Sequence, residues 1–264
     1  VDYWKTYRVM NLLSLKRDIQ SLPLKNYDLI INDFEPVTAW ACRLQRVSSV
    51  SLSHQASFLS KKTPRPSSSF HRQELVFSHY APTTHHIGFH IERYDDFIHT
   101  PVIRSEIRNQ NTKDMGYITV YLPAYDDRLL LKFFKQIPEV KWEVFSKHST
   151  KTYTEGNVWV RPVSNEQYNH SLAYSHGLLT GGGFEGPAEA LFLGKKVLVI
   201  PMKNQYEQQC NAEAARRIGI PVVHHLDDGF VPLLRKWLSD PFQVKVDFPD
   251  ETSAIVNDLI CKFS

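Results

Sequence analysis

Between residues 117 and 239, short apolar runs of strand length alternate with segments of helical periodicity, and no other feature restricts the fold as tightly. The runs at 117–122, 141–145, 157–160, 177–180, 196–200 and 221–224 read as strands. Segments 125–136, 165–174, 186–193, 205–218 and 228–239 read as helices, and there is one direct strand-to-strand step. Repeated βα units joined by short loops predict an α/β fold, a parallel sheet covered by helices on both faces. Ligands of such sheets bind beyond the carboxyl ends of the strands.

The first 110 residues carry a less regular version of the same pattern. Leu12, Leu15, Ile19 and Leu22 recur at helical spacing over 10–20, and Tyr27 to Ile31 reads as a buried strand. That strand ends in Asn32-Asp33-Phe34-Glu35-Pro36, where Pro36 suits the first turn of a helix running to about Arg46. Val47 to Leu52 makes the next strand, with Ser53-His54-Gln55 at its carboxyl end. A further helix and a strand around His86 to Ile91 follow, then a linker over 95–113. A last helix, 250–262, has no signal for what it packs on.

The glycines locate the ligand. Of 11, none lies in the first 87 residues, while six fall between Gly177 and Gly194. A nucleotide-binding fold that opens on a glycine-rich loop is therefore not fully represented, and no GxGxxG opens a βαβ unit as a dinucleotide dehydrogenase requires. The net charge of +3 is too small for a nucleic-acid binder. The excess is local, around Lys61, Lys62, Arg65 and Arg72 in KKTPRPSSSFHR, which reads as a solvated loop or as an attraction to an anionic acceptor or membrane surface. No apolar run reaches the roughly 18 residues of a membrane span. Three widely spaced cysteines, Cys42, Cys210 and Cys261, suit a soluble protein of the reducing cytoplasm. His85-His86 and His224-His225 are adjacent pairs whose rings point to opposite faces of a strand, and with His90 they make no chelate, so no metal is expected.

Chemistry concentrates in Gly181-Gly182-Gly183-Phe184-Glu185-Gly186-Pro187-Ala188-Glu189, which joins a buried strand to a helix. The glycines let the backbone approach a ligand, and the helix behind them presents unpaired N–H groups, a site for a diphosphate. Glu189, one turn in, is placed to accept from the two vicinal hydroxyls of a ribose. After the next strand, Pro201 leads to Glu207, Gln208 and Asn211, where an acceptor beside an amide suits the hydroxyls of a sugar. Phe184 stacks on a ligand or plugs an interface. His54, Asp33 and Glu35 stand at strand ends of the first region as candidate catalytic groups. His54 reads equally as structural, and Glu35 as an acid on a helix dipole.

In order and spacing, Gly182, Gly183, Glu189, Pro201, Glu207, Gln208 and Asn211 resemble the donor-binding domain of GT-B nucleotide-sugar glycosyltransferases, the group that includes the lipid II-forming N-acetylglucosaminyltransferase and the UDP-glycosyltransferases. The resemblance implies two Rossmann-like domains facing a cleft, with 1–100 a partial acceptor-side domain, 101–111 a linker and 112–264 the donor domain. It implies an inverting, metal-independent transfer from a nucleotide-diphosphate sugar, UDP-linked, with no cofactor, to a hydroxyl of a lipid, glycan or small molecule. It also places Arg104 near the donor, where a solvent-facing linker arginine is the other reading. The chain departs from the family by lacking the early glycine-rich loop with its histidine and by having Leu122-Pro123-Ala124-Tyr125 after the first donor-domain strand, where members carry glycines and serine. The first departure makes a shortened acceptor domain the expectation, and a non-catalytic donor-binding subunit the alternative. A nucleotide-sugar epimerase finds no matching acidic and basic set.

Overall fold

The computed structural model describes residues 12–67 and 71–263. It divides into two compact units: the described residues up to Val102 together with those from Pro249 onward, and Ile103–Phe248. Each has its own parallel sheet.

The second unit carries β5 to β10, once the first unit's β1 (Ile31–Asn32), β2 (Val50–Ser53), β3 (His85–Phe89) and β4 (Ile98–His99) are counted. They are β5 (Tyr117–Tyr121), β6 (Lys141–Ser146), β7 (Tyr153–Glu155), β8 (Val158–Pro162), β9 (Gly177–Thr180) and β10 (Lys196–Val199). Their spatial order is β10-β9-β5-β6-β8-β7, all parallel except the β7–β8 hairpin. From β5 the chain winds outward through β6 and β8, then returns to lay β9 on the other side of β5. The switch of direction therefore falls between β5 and β9.

One face of this sheet is apolar. Ile118, Val120, Trp142, Val144, Val158, Val160, Leu179 and Leu198 pack with Leu130 and Phe134 and with Phe230, Leu234 and Trp237. The Phe134 and Trp142 rings stack at 4.4 Å. The other face carries a polar network: the Thr119 and Ser171 hydroxyls lie 2.7 Å apart, Ser171 donates to Glu143 at 2.6 Å, and Arg161 pairs with Glu143 at 2.9 Å. Pairing and hydrogen bonding offset the cost of placing a carboxylate in a sheet interior.

Several expectations are modified. The strand expected at 27–31 forms a ladder only at Ile31 and Asn32, and the one expected at 221–224 is a single bridge, Val199 to Val222. The hairpin strand β7 and the short β4, inside the expected linker, were too brief to show a period. The linker also begins the second unit, at Ile103, and forms a turn of helix over Ser105–Arg108. The C-terminal helix, Thr252–Phe263, lies in the first unit: its Ile255 and Leu259, one turn apart, pack on Val50 and Ile87. The last modification is the basic segment, described below.

In the first unit the sheet order is β1-β2-β3-β4, all parallel. Gly88 of β3 lets the short helical turn Gln55–Leu59 lie directly on the sheet, because a Cβ there would sit 2.8 Å from the Ser57 backbone. Gly88→Ala should therefore cost about 1–3 kcal/mol in urea unfolding.

Candidate functional site

Thr180 ends β9 at the switch point, where its hydroxyl donates to the Tyr121 carbonyl at the end of β5 (3.2 Å). The glycine turn follows. It is held from behind by the helix Tyr206–Arg217, whose first two turns carry Gln208 and Asn211. Gln208 Oε1 accepts from the Gly182 N–H at 3.1 Å and from the Met202 N–H at 3.0 Å. Asn211 Nδ2 donates to the Gly182 carbonyl at 3.1 Å. One helix end thus clamps both the turn after β9 and the Pro201-Met202 turn after β10. A Cβ on Gly182 would lie 2.6 Å from the Gln208 carbonyl oxygen, so only glycine fits. Gly183 differs: a Cβ there meets nothing within 4 Å.

The helix Glu185–Phe192 starts directly from this turn. The N–H groups of Glu185 and Gly186 have no partner among the described residues, and the exposed Glu185 carboxylate complements the helix dipole. At Gly186 a Cβ would stand in ordinary contact with the Tyr168 hydroxyl, at 3.5 Å. Burial first, then the Glu189 charge, push the Tyr168 phenol well up, so it stays protonated.

Glu189 is buried and both its oxygens are engaged. Arg104 donates to them through Nε (2.6 Å) and Nη2 (2.9 Å), and Nη2 also reaches Asn169 Oδ1 at 3.3 Å. The two residues were expected as separate donor contacts; the structure makes them one bidentate pair. Arg104 Nη1 has no partner among the described residues. The reach of the Glu189 carboxylate to an outside hydroxyl is limited, because its side chain is only 4% exposed against 44% for Arg104. Tyr168 and Asn169 were missed by sequence reasoning; their signal was position, at the start of the helix that follows the carboxyl end of β8.

The structure therefore gathers Arg104, Gly181, Gly182, Gly183, Phe184, Glu185, Gly186, Glu189, Glu207, Gln208 and Asn211 in the second unit, with Glu207 half-buried beside Gln208. Asp33, Glu35 and His54 lie in the first. Asp33 is exposed just past β1. Glu35 caps the helix Pro36–Gln45, its oxygens accepting from the Val37 (2.6 Å) and Thr38 (2.7 Å) N–H groups. That is the other of its two readings, an acid at a helix N-terminus. His54 is buried, its Nδ1 within 2.8 Å of the Phe89 carbonyl and its ring edge-on to Phe58, so Nδ1 carries the proton. Nearby His90 is held well below the ordinary histidine range by burial, then by His54 and Arg65.

The basic segment is only in part the exposed surface expected of it: Lys61 and Lys62 are exposed, Arg65 is not. Arg65 turns inward, donating to the Phe58 carbonyl (2.6 Å) and to Glu74 (2.7 Å), and Lys62 pairs with Asp95 at 2.9 Å. Residues 68–70 and the Arg72 side chain lie outside the described residues. No group of three or more His, Cys, Asp or Glu that could hold a metal ion occurs among the described residues.

Comparison with known proteins follows from this geometry. The model of glycosyl transferase family 1 matches residues 14–232. No curated protein matches by sequence. Among solved structures, the glycotransferase of kitacinnamycin is 14% identical with a TM-score of 0.58, covering 86% of this chain and 72% of its own. MurG of Acinetobacter baumannii is 13% identical with a TM-score of 0.54, covering 87% and 70%. UGT89C1 of Arabidopsis thaliana, complexed with UDP, is 13% identical with a TM-score of 0.55, covering 86% and 68%. At such identities the likeness is one of fold, the GT-B fold.

Two substitutions read the local architecture. Gln208→Leu leaves two backbone N–H groups without an acceptor, and Gln208→Glu keeps one, so the leucine variant should be the less stable by about 1–3 kcal/mol in urea unfolding. Burial alone would raise the Glu35 carboxyl, but hydrogen bonds from Thr38 and Val37 outweigh it and hold the group below its ordinary range. Its stabilisation is therefore present at neutral pH and lost as the pH falls through the lowered value. Glu35→Ala should melt earlier than wild type at neutral pH, by about 1 kcal/mol, and coincide with it in acid.

Proposed function

The chain belongs to glycosyl transferase family 1, and from that premise we propose that it transfers a sugar from a UDP-linked donor to an acceptor hydroxyl with inversion at the anomeric carbon. The observation that carries the donor side is the clamped turn: Gly182 held by Gln208 and Asn211 in front of a helix whose first N–H groups are open. Those N–H groups and the helix dipole take up charge as the diphosphate leaves, so no metal or cofactor is required. The nucleotide ribose meets the Arg104–Glu189 pair, with Arg104 Nη1 on its outer side and Glu189 beneath.

Gln208 then has a defined role toward the sugar. Because its Oε1 is held by two backbone donors, its Nε2 is the group left to face a ligand, as a donor only. Glu207 supplies the complementary acceptor. A pair that presents one donor and one acceptor reads the direction of a hydroxyl, not merely its presence. The first unit, with Asp33 at the carboxyl end of its first strand, serves the acceptor, whose class is a lipid, a glycan or a small molecule. The compartment is the reducing cytoplasm, in keeping with three cysteines that form no disulfide, two of them buried. Among the described residues no helix is long and apolar enough to cross a membrane.

UDP titrated calorimetrically into the protein should bind, and Glu189→Ala and Arg104→Ala should each weaken it tenfold or more. Unchanged affinity in both would overturn the donor assignment. Release of UDP from UDP-sugar should survive excess EDTA; loss of turnover there would count against the metal-free mechanism.

A further inference from the structure

The amino edge of the first unit's sheet holds a cavity of about 340 Å³ that the proposed reaction does not use. It forms where the helix Pro36–Gln45 ends and where the chain enters β2 and β3. Arg43 and Arg46 come from the helix end, Ser48 and Ser49 from the entry to β2, and Thr83 and Thr84 from the entry to β3. The rest of the lining, Cys42, Val47 and Pro82, carries no charge, because burial pushes the Cys42 thiol up and keeps it protonated. Two guanidiniums thus border a cavity that no carboxylate lines.

Neither arginine is spent on the protein. Both are exposed, and neither pairs with a carboxylate among the described residues. Arg43 lies over the Trp40 ring at 5.8 Å, a contact that takes up none of its N–H groups. Complementing the helix dipole does not account for both, because a helix C-terminus carries the equivalent of about half a negative charge and two full positive charges stand there. Arg46 is moreover held at a cost. Its φ of 57° and ψ of 39° are left-handed, at the position after a helix that glycine ordinarily takes, and the Cys42 carbonyl accepts from both the Arg46 and the Val47 N–H. Glycine would close the helix without that strain; what it lacks is a guanidinium at the cavity. Strain kept by a residue that borders a cavity points to use of its side chain.

The groups across from the arginines are donors. The Ser49 N–H donates to Thr84 Oγ1 (3.0 Å), and the Ser49 carbonyl accepts from the Thr84 and His85 N–H groups (3.0 Å each), which fixes the two strand entries against each other. Thr84 Oγ1, already accepting, keeps its own hydrogen to donate. The Ser48 hydroxyl and N–H have no partner among the described residues. We propose that this cavity binds a phosphate monoester, with Arg43 and Arg46 pairing to the phosphate oxygens and Ser48 and Thr84 donating to them. A planar guanidinium matches two phosphate oxygens at once. A cavity of about 150 Å³ is enough for benzene, so this one also has room for the organic part of an ester. The site lies wholly in the first unit and is independent of the donor reading of the second.

The test follows the backbone amide resonances of Val47, Ser48, Ser49 and Thr84 while inorganic phosphate, and then glycerol 3-phosphate, is titrated into the whole chain at an ionic strength held constant with chloride. Phosphate taken up at the glycine turn of the second unit does not register in these signals. They should shift and saturate in the millimolar range or tighter. Arg46→Gly should lose tenfold or more of that affinity while melting no earlier than wild type, a split that a purely structural arginine would not give. Arg43→Ser should lose as much, and Lys61→Ser, which removes an equal charge elsewhere on the first unit, should lose none. Absence of saturable shifts, unchanged affinity in both arginine variants, or an equal loss in the Lys61 variant would overturn the proposal. Vesicles of phosphatidylcholine with and without phosphatidic acid separate the sources of the phosphate. Glycerol 3-phosphate binding without co-sedimentation supports a soluble ester, and co-sedimentation that needs phosphatidic acid and is lost in Arg46→Gly supports a lipid headgroup in the same site.

Discussion

The Oε1 atom of Gln208 accepts from two backbone N–H groups that belong to successive βα turns, those of Gly182 and Met202. Much of the second unit's chemistry depends on that single acceptor. With Asn211 holding the Gly182 carbonyl, it fixes the peptide plane of the glycine turn, and so the direction in which the following helix presents its first N–H groups. It also decides what the glutamine can say to a ligand, because an amide whose oxygen is engaged can only donate. The close approach is possible because Gly182 has no side chain, and it lies at the point where the winding of the sheet reverses. Sequence, topology and hydrogen bonding converge there on one peptide group.

The first unit relies on an analogous lock with a different residue at its centre. Asn32 closes the β1 turn onto Glu35, Glu35 caps the next helix, and Phe34 is held between them in a left-handed conformation. In both units, then, a buried amide side chain organises a strand-to-helix turn at the carboxyl edge. One turn uses glycine to let a backbone come close, and the other tolerates strain to keep an aromatic ring in place.

How much of this could be read beforehand follows from the range of each interaction. The alternation of apolar runs and helical segments shows where β5, β6, β8, β9 and β10 fall, since each run buries most of its residues and its length is local information. The glycine turn and the helix after it are legible for the same reason. Two-residue ladders such as Ile31–Asn32 and Ile98–His99 are not, because their pairing depends on neighbours distant in the chain. Arg65 reads as part of an exposed basic loop, and only packing on Phe58 and Glu74 reveals it as an internal tie. Lys195 too is buried, its ammonium donating to the Lys113 and Ser175 carbonyls.

By itself the sequence determined the α/β class, the place of the glycine turn and the identity of most residues around it, because periodicity and glycine spacing are properties of contiguous chain. Tertiary structure decided what those residues do with their polar atoms. Arg104 and Glu189 are 85 positions apart and were two independent expectations; the fold makes them a bidentate pair in which the arginine is the more exposed member. It also gave Glu35 to a helix end, and set Phe34 beside residues from several other segments. A side chain's hydrogen-bonding capacity is written in its residue type, but the partner that takes it up is a matter of which distant segments the fold brings within about 3 Å.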